Sequence, residues 1–119
     1  VPVSDVPAFL AEVEAAVTRY MPGARVVAFG HLGDGNIHCN VSQPIGADKT
    51  AFLAQWDAVN EIVHGIVAAH KGSISAEHGI GQLKRKLLPG VKDPVALDLM
   101  RSLKAVLDPK GILNPGKVL

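Results

Sequence analysis

The side chains of this 119-residue sequence that could do chemistry together are His31, His38, Asn40, Glu77 and His78. The two histidines flank Gly33-Asp34-Gly35-Asn36, and Asp34-Gly35 predicts a two-residue hairpin turn of type I′, with positive φ at both positions. That turn pairs Gly33 with Asn36, Leu32 with Ile37 and His31 with His38. Directly opposed residues share a face with Cβ atoms about 4.5–5.5 Å apart, so the two imidazoles could aim at one metal ion. The same parity puts Phe29 and Asn40 on the histidine face and Ala28, Leu32, Ile37, Cys39 and Val41 on a core face. Glu77, ending a short alternating strand Ser73–Glu77, is the best third donor. Two histidines and a carboxylate leave open positions on a divalent ion used as a Lewis acid. The adjacent His78 is then a general base for an alcohol proton, and Asn40 could orient a carboxylate or hydroxyl. The residues alone stop at a metal-assisted reaction, with hydride transfer and hydrolysis both open. The plainer reading is a turn whose histidines are hydrogen-bonded on a half-exposed sheet. A calcium loop is excluded, because the spaced acidic ligands and closing glutamate are missing.

These residues need elements to hold them. Ser4 or Asp5 can cap a first helix whose stripe is Val6, Phe9, Leu10, Val13, Val17 and Tyr20, ended by Met21-Pro22-Gly23. The hairpin follows, then a Pro/Gly loop. Asp48 opens a second helix to about Ala69, with Phe52, Trp56, Val59, Ile62, Val63, Ile66 and Val67 on one face and Gly72 as its stop. His64 and His70 lie on different sides of that helix and read as ordinary flank residues. After the strand, His78-Gly79-Ile80-Gly81 leads into a short helix, whose first amides could hold an anion. Asp93-Pro94 starts the last helix, carrying Leu99, Met100, Leu103, Val106 and Leu107. The tail from Asp108 has too much Gly and Pro for a regular element, and its apolar residues imply docking. The order predicts an α+β fold, a small, mostly antiparallel sheet covered by helices.

Bulk properties narrow the classes. At this length the chain is one globular domain, with 48% apolar and 19% charged residues. A net charge of +1 provides no basic field for nucleic acid. No apolar run approaches the ~20 residues of a membrane span, and no signal peptide is visible. A single cysteine excludes an internal disulfide and fits a reducing compartment, consistent with a cytoplasmic or membrane-peripheral location. The opening at Val1, without an initiator Met, implies a processed or excised piece.

Three stretches resemble signatures of one family: Gly30-His31-Leu32-Gly33-Asp34-Gly35-Asn36-Ile37-His38-x-Asn40, Ser73-Ile74-Ser75-Ala76-Glu77-His78-Gly79-Ile80-Gly81, and Asp108-Pro109-Lys110-Gly111-Ile112-Leu113-Asn114-Pro115-Gly116-Lys117. The family is the FAD-linked D-2-hydroxy-acid dehydrogenases (D-lactate and D-2-hydroxyglutarate dehydrogenases and the flavin subunit of glycolate oxidase), of the vanillyl-alcohol oxidase flavoprotein superfamily. The resemblance implies that His31, His38 and Glu77 ligate a divalent metal, often zinc. It further implies His78 as base, Asn40 as a substrate contact, and hydride transfer from substrate C2 to flavin. Residues 1–107 would be the C-terminal part of a substrate (cap) domain. Residues 108–119, with Asn114, would return to an FAD domain absent from the sequence. The chain alone is then expected to be inactive, to bind FAD weakly or not at all, and to self-associate. The alternatives are a zinc hydrolase and a non-catalytic binding or assembly module.

Overall fold

The computed structural model describes residues 1–31 and 33–119. Its elements are α1 (Val6–Tyr20), β1 (Arg25–His31), β2 (Asn36–Ser42), α2 (Lys49–Leu53), α3 (Trp56–Ala69), α4 (Leu88–Val91) and α5 (Pro94–Leu107). The fold is α+β: among the described residues, a two-stranded antiparallel sheet with five helices. It divides into two compact units, Val1–Ala76 and Glu77–Leu119.

The first unit is organised by α1. Its three- and four-residue apolar spacing buries Val6, Phe9, Val13 and Val17, the last two with no exposure at all. Each such side chain contributes about 1.5–3 kcal/mol by leaving water. Ile66 and Val67 of α3, with Ala24 and Ile74, complete the buried set. Tyr20 departs from the expected stripe: it is exposed, and its hydroxyl donates to the Gln55 side chain. Neither Ser4 nor Asp5 caps α1 through its side chain, and a 3-10 turn, Val3–Asp5, precedes it. Asp5 instead lies 3.7 Å from His70 Nδ1, while His70 Nε2 meets Glu12 at 2.9 Å and the ring stands edge-on to Phe9. His70 therefore ties the end of α3 to α1.

The expected second helix is interrupted. Asp48 does cap α2, accepting from Ala51 N–H at 2.8 Å, but the Gln55 N–H bonds back to Phe52, three residues earlier. That tightened turn separates α2 from α3 and leaves Trp56 exposed rather than buried. α3 ends with Lys71 at φ +54 and the Gly72 N–H bonded to Val67 O, a Schellman-type stop.

No strand forms at 73–77. The Ser73 hydroxyl accepts from Ser75 N–H at 3.2 Å and donates to Ser75 O at 3.0 Å. A serine that satisfies nearby backbone groups in this way competes with a sheet ladder. In the second unit, Asp93 caps α5 by accepting from Ala96 N–H at 3.0 Å, as the Asp-Pro start signal predicts. Leu97 is buried, whereas Leu99, Leu103, Val106 and Leu107 are exposed.

Candidate functional site

The hairpin presents the histidines, but not by direct opposition. The register pairs Phe29 with His38, Gly30 with Ile37 and His31 with Asn36. This corrects the expected type I′ pairing of His31 with His38, of Leu32 with Ile37 and of Gly33 with Asn36; Leu32 itself lies outside the described residues. The physical reason is local. Gly35 has φ +70, but Asp34 is not among the positive-φ residues, so a type I′ turn cannot form. The turn closes instead with the Gly35 N–H bonded to His31 O at 3.2 Å and the Asn36 N–H bonded to the Asp34 carboxylate at 3.0 Å. Asp34 is thus engaged in shaping the turn.

A two-residue change of register preserves parity, so the expected face survives. Val27, Phe29 and His31 share it with Asn40, His38 and Asn36. His31 and His38 become diagonal neighbours, with Cα atoms about 7–8 Å apart in a regular sheet. His38 stacks on Phe29, with ring centroids at 5.0 Å and planes inclined by 12°. His31, Phe29 and Asn40 are exposed and His38 is half-buried. Asn40 also borders a pocket of about 140 Å³ with Cys39, Val41, Phe52, Trp56 and Val59. Of the expected core face, Ile37, Cys39 and Val41 are half-buried and Ala28 is exposed. Burial pushes the Cys39 thiol above its ordinary range, so it stays protonated and is a poor nucleophile or ligand.

The spacing of the strands depends on Gly30. A Cβ built there would lie 1.9 Å from Asn36 O, a backbone atom. Gly35 is equally closed, because its Cβ would meet Val1 O at 1.9 Å.

Glu77 and His78 lie in the second unit, both exposed, on an irregular segment rather than at a strand end. No helix starts at Gly79 or Gly81, contrary to the expected anion-holding helix start. Gly81 takes φ +58, and turns with long bonds, Lys84 N–H to Ile80 O and Arg85 N–H to Gln82 O at 3.3 Å each, run on to α4. The tail is anchored by Asp108, the residue at which the third family-like stretch opens. Asp108, its side chain 2% exposed, accepts from Lys104 Nζ at 2.6 Å and from the Ile112 and Leu113 N–H groups at 2.9 Å each. The Lys104 ammonium first, then the two backbone donors, hold its carboxyl below the usual aspartate range against the opposing effect of burial. Asn114 is exposed at φ +49, and further on Val118 N–H bonds Gly81 O at 2.8 Å.

The hairpin donors have the chemistry a divalent ion needs, and two imidazole arms with metal bonds of about 2.0–2.1 Å can span a diagonal pair. Among the described residues, no group of three or more His, Cys, Asp or Glu side chains is gathered around one point.

Residues 1–118 match the family described as FAD linked oxidases, C-terminal domain, and the chain belongs to it. It is 46% identical over 118 residues to D-2-hydroxyglutarate dehydrogenase of Stutzerimonas stutzeri (strain A1501), covering 99% of this chain and 25% of that protein. It is 44% identical over 116 residues to the protein of the same name from Xanthomonas citri pv. viticola, covering 98% of this chain and 25% of that protein. The mitochondrial D-2-hydroxyglutarate dehydrogenase of Bos taurus is 51% identical over 102 residues, 85% of this chain and 18% of that protein. The chain thus spans a quarter or less of these relatives. No helix among the described residues is long and apolar enough to cross a membrane.

Proposed function

We propose that this chain is the C-terminal, substrate-facing portion of an FAD-dependent dehydrogenase that oxidises a D-2-hydroxy acid to the 2-oxo acid. The observation that carries the reading is the exposed hairpin face bearing His31, His38 and Asn40, in a chain 46% identical over 118 residues to a D-2-hydroxyglutarate dehydrogenase. The names of the relatives make D-2-hydroxyglutarate the first substrate to try.

His31 and His38 would hold a divalent ion, zinc first, with Glu77 as third ligand. Such an ion supplies Lewis acidity that lowers the cost of negative charge on the substrate hydroxyl oxygen. FAD, when bound, would supply the hydride acceptor. His78 takes the C2 hydroxyl proton on a ring nitrogen, in step with departure of the C2 hydride. Asn40, exposed on the hairpin face, donates from its amide to a substrate carboxylate or hydroxyl. Residues 1–107 would belong to the substrate domain. Residues 108–119 would run to the FAD domain, with Asn114 toward the cofactor.

The test is a screen of the complete polypeptide against D-2-hydroxyglutarate, D-lactate and glycolate with a dye acceptor, together with metal analysis. Turnover with a D-2-hydroxy acid and about one metal ion per chain, lost in the His31→Ala, His38→Ala double variant, is the expected result. Hydrolytic activity alone, or metal content unchanged in the double variant, would overturn it.

A further inference from the structure

We infer that Phe29 is a positioning residue for His38: its ring sets the imidazole plane and, through it, the affinity of the hairpin face for a divalent cation. The inference rests on the proposed ligand role of His38 and goes beyond it to a residue that touches neither metal nor substrate.

Phe29, not His31, stands opposite His38, so the nearest cross-strand neighbour of the imidazole is a phenyl ring. The two rings lie almost parallel, 12° apart, with centroids at 5.0 Å. An imidazole binds a cation through a nitrogen lone pair in the ring plane, so the orientation of that plane decides where a cation can sit. A stacked phenyl neighbour covers one face of the ring and has no polar atom with which to engage its nitrogens. Phe29 therefore restricts rotation about the last side-chain bond of His38 without competing for its donors.

Two further observations separate this role from ordinary packing. Phe29 is 57% exposed and absent from the buried core of the first unit, so its ring is not needed to fill an interior. The pairing is also held in place: Gly30 next to it allows the strands to approach until a Cβ would collide with Asn36 O at 1.9 Å. A large apolar ring on an open face, fixed against one histidine, fits preorganisation of that histidine.

The experiment compares Phe29→Ala, Phe29→Tyr and His38→Ala with the wild-type chain, by Co²⁺ titration and by NMR of the histidine ring signals. Outer-shell partners of metal-binding histidines typically change affinity about 10–100-fold when removed, and Phe29→Ala is expected within that range. Phe29→Tyr keeps a stacking ring and should stay within about threefold of wild type. The His38 ring protons should carry a ring-current shift in the wild type and in Phe29→Tyr that Phe29→Ala abolishes, with circular dichroism unchanged. Equal Co²⁺ affinity in wild type and Phe29→Ala, alongside loss in His38→Ala, overturns the inference and leaves the ligand reading standing. If wild type and His38→Ala bind Co²⁺ alike, the ligand reading fails, and the link from Phe29 to affinity fails with it. His38 ring signals unmoved by Phe29→Ala overturn the positioning role whatever the cobalt result.

Discussion

Asp108 shows how much one side chain can settle. It faces no proposed substrate, yet its carboxylate gathers the Lys104 ammonium and two tail N–H groups at the point where α5 gives way to irregular chain. Those partners favour the ionised form, so the folded-state pKa lies below the unfolded one. The stabilisation is therefore complete above the ordinary aspartate range and is lost as pH falls through the depressed folded value. The expected outcome is a tail that becomes protease-sensitive below about pH 4, and an Asp108→Asn variant whose tail is already sensitive at neutral pH. Limited proteolysis at a series of pH values checks both. At the same scale, Val13→Ala empties part of a fully buried site and should cost about 2 kcal/mol in urea unfolding. These roles were unevenly legible. Val13 stands on an apolar stripe that spacing alone reveals, whereas Asp108 follows the periodic residues of α5 and has no local signal of what it will gather. Its partners Ile112 and Leu113 come close only once the tail has turned at Gly111, with φ +63.

At the scale of elements, the hairpin is where the reading from sequence was half right. Alternation correctly placed His31, His38, Phe29 and Asn40 on one face, because parity survives a change of register by two. Register itself was hidden, since Leu32 to Gly35 can close through more than one turn and the choice rests on the φ of Asp34. The serines of 73–77 misled in a related way: their alternation resembles a strand, but side-chain bonds take up the backbone groups a ladder would use. The α2–α3 break carries no Gly or Pro and has no sequence signal. The helix starts at Asp48 and Asp93 were legible because capping is a local interaction. Two predictions belong here. Gly30→Ala must force the strands apart, costing about 3 kcal/mol and abolishing the cross-strand amide protections in hydrogen exchange. Asp93→Ala removes the α5 cap and should lower stability by about 1 kcal/mol while leaving the hairpin signals in place.

For the molecule as a whole, α5 is the informative element. It buries Leu97 while leaving Val95, Leu99, Leu103 and Val106, each about one turn from the next on another face, open to water. A helix apolar on more than one face is normally covered on each, and exposed apolar patches favour association. The 119-residue chain on its own is therefore expected to self-associate by light scattering and to purify without stoichiometric flavin. A monodisperse, yellow monomer would contradict both expectations.

In the proposed reaction His78 is the base of an alcohol oxidation whose hydride passes to flavin. That role is tested most directly by anaerobic flavin bleaching in the complete polypeptide, wild type against His78→Ala, on addition of D-2-hydroxyglutarate. Rapid bleaching is expected in the wild type, slowed about 10²–10⁴-fold in the variant with its flavin still bound. Equal bleaching rates in the two proteins would contradict it.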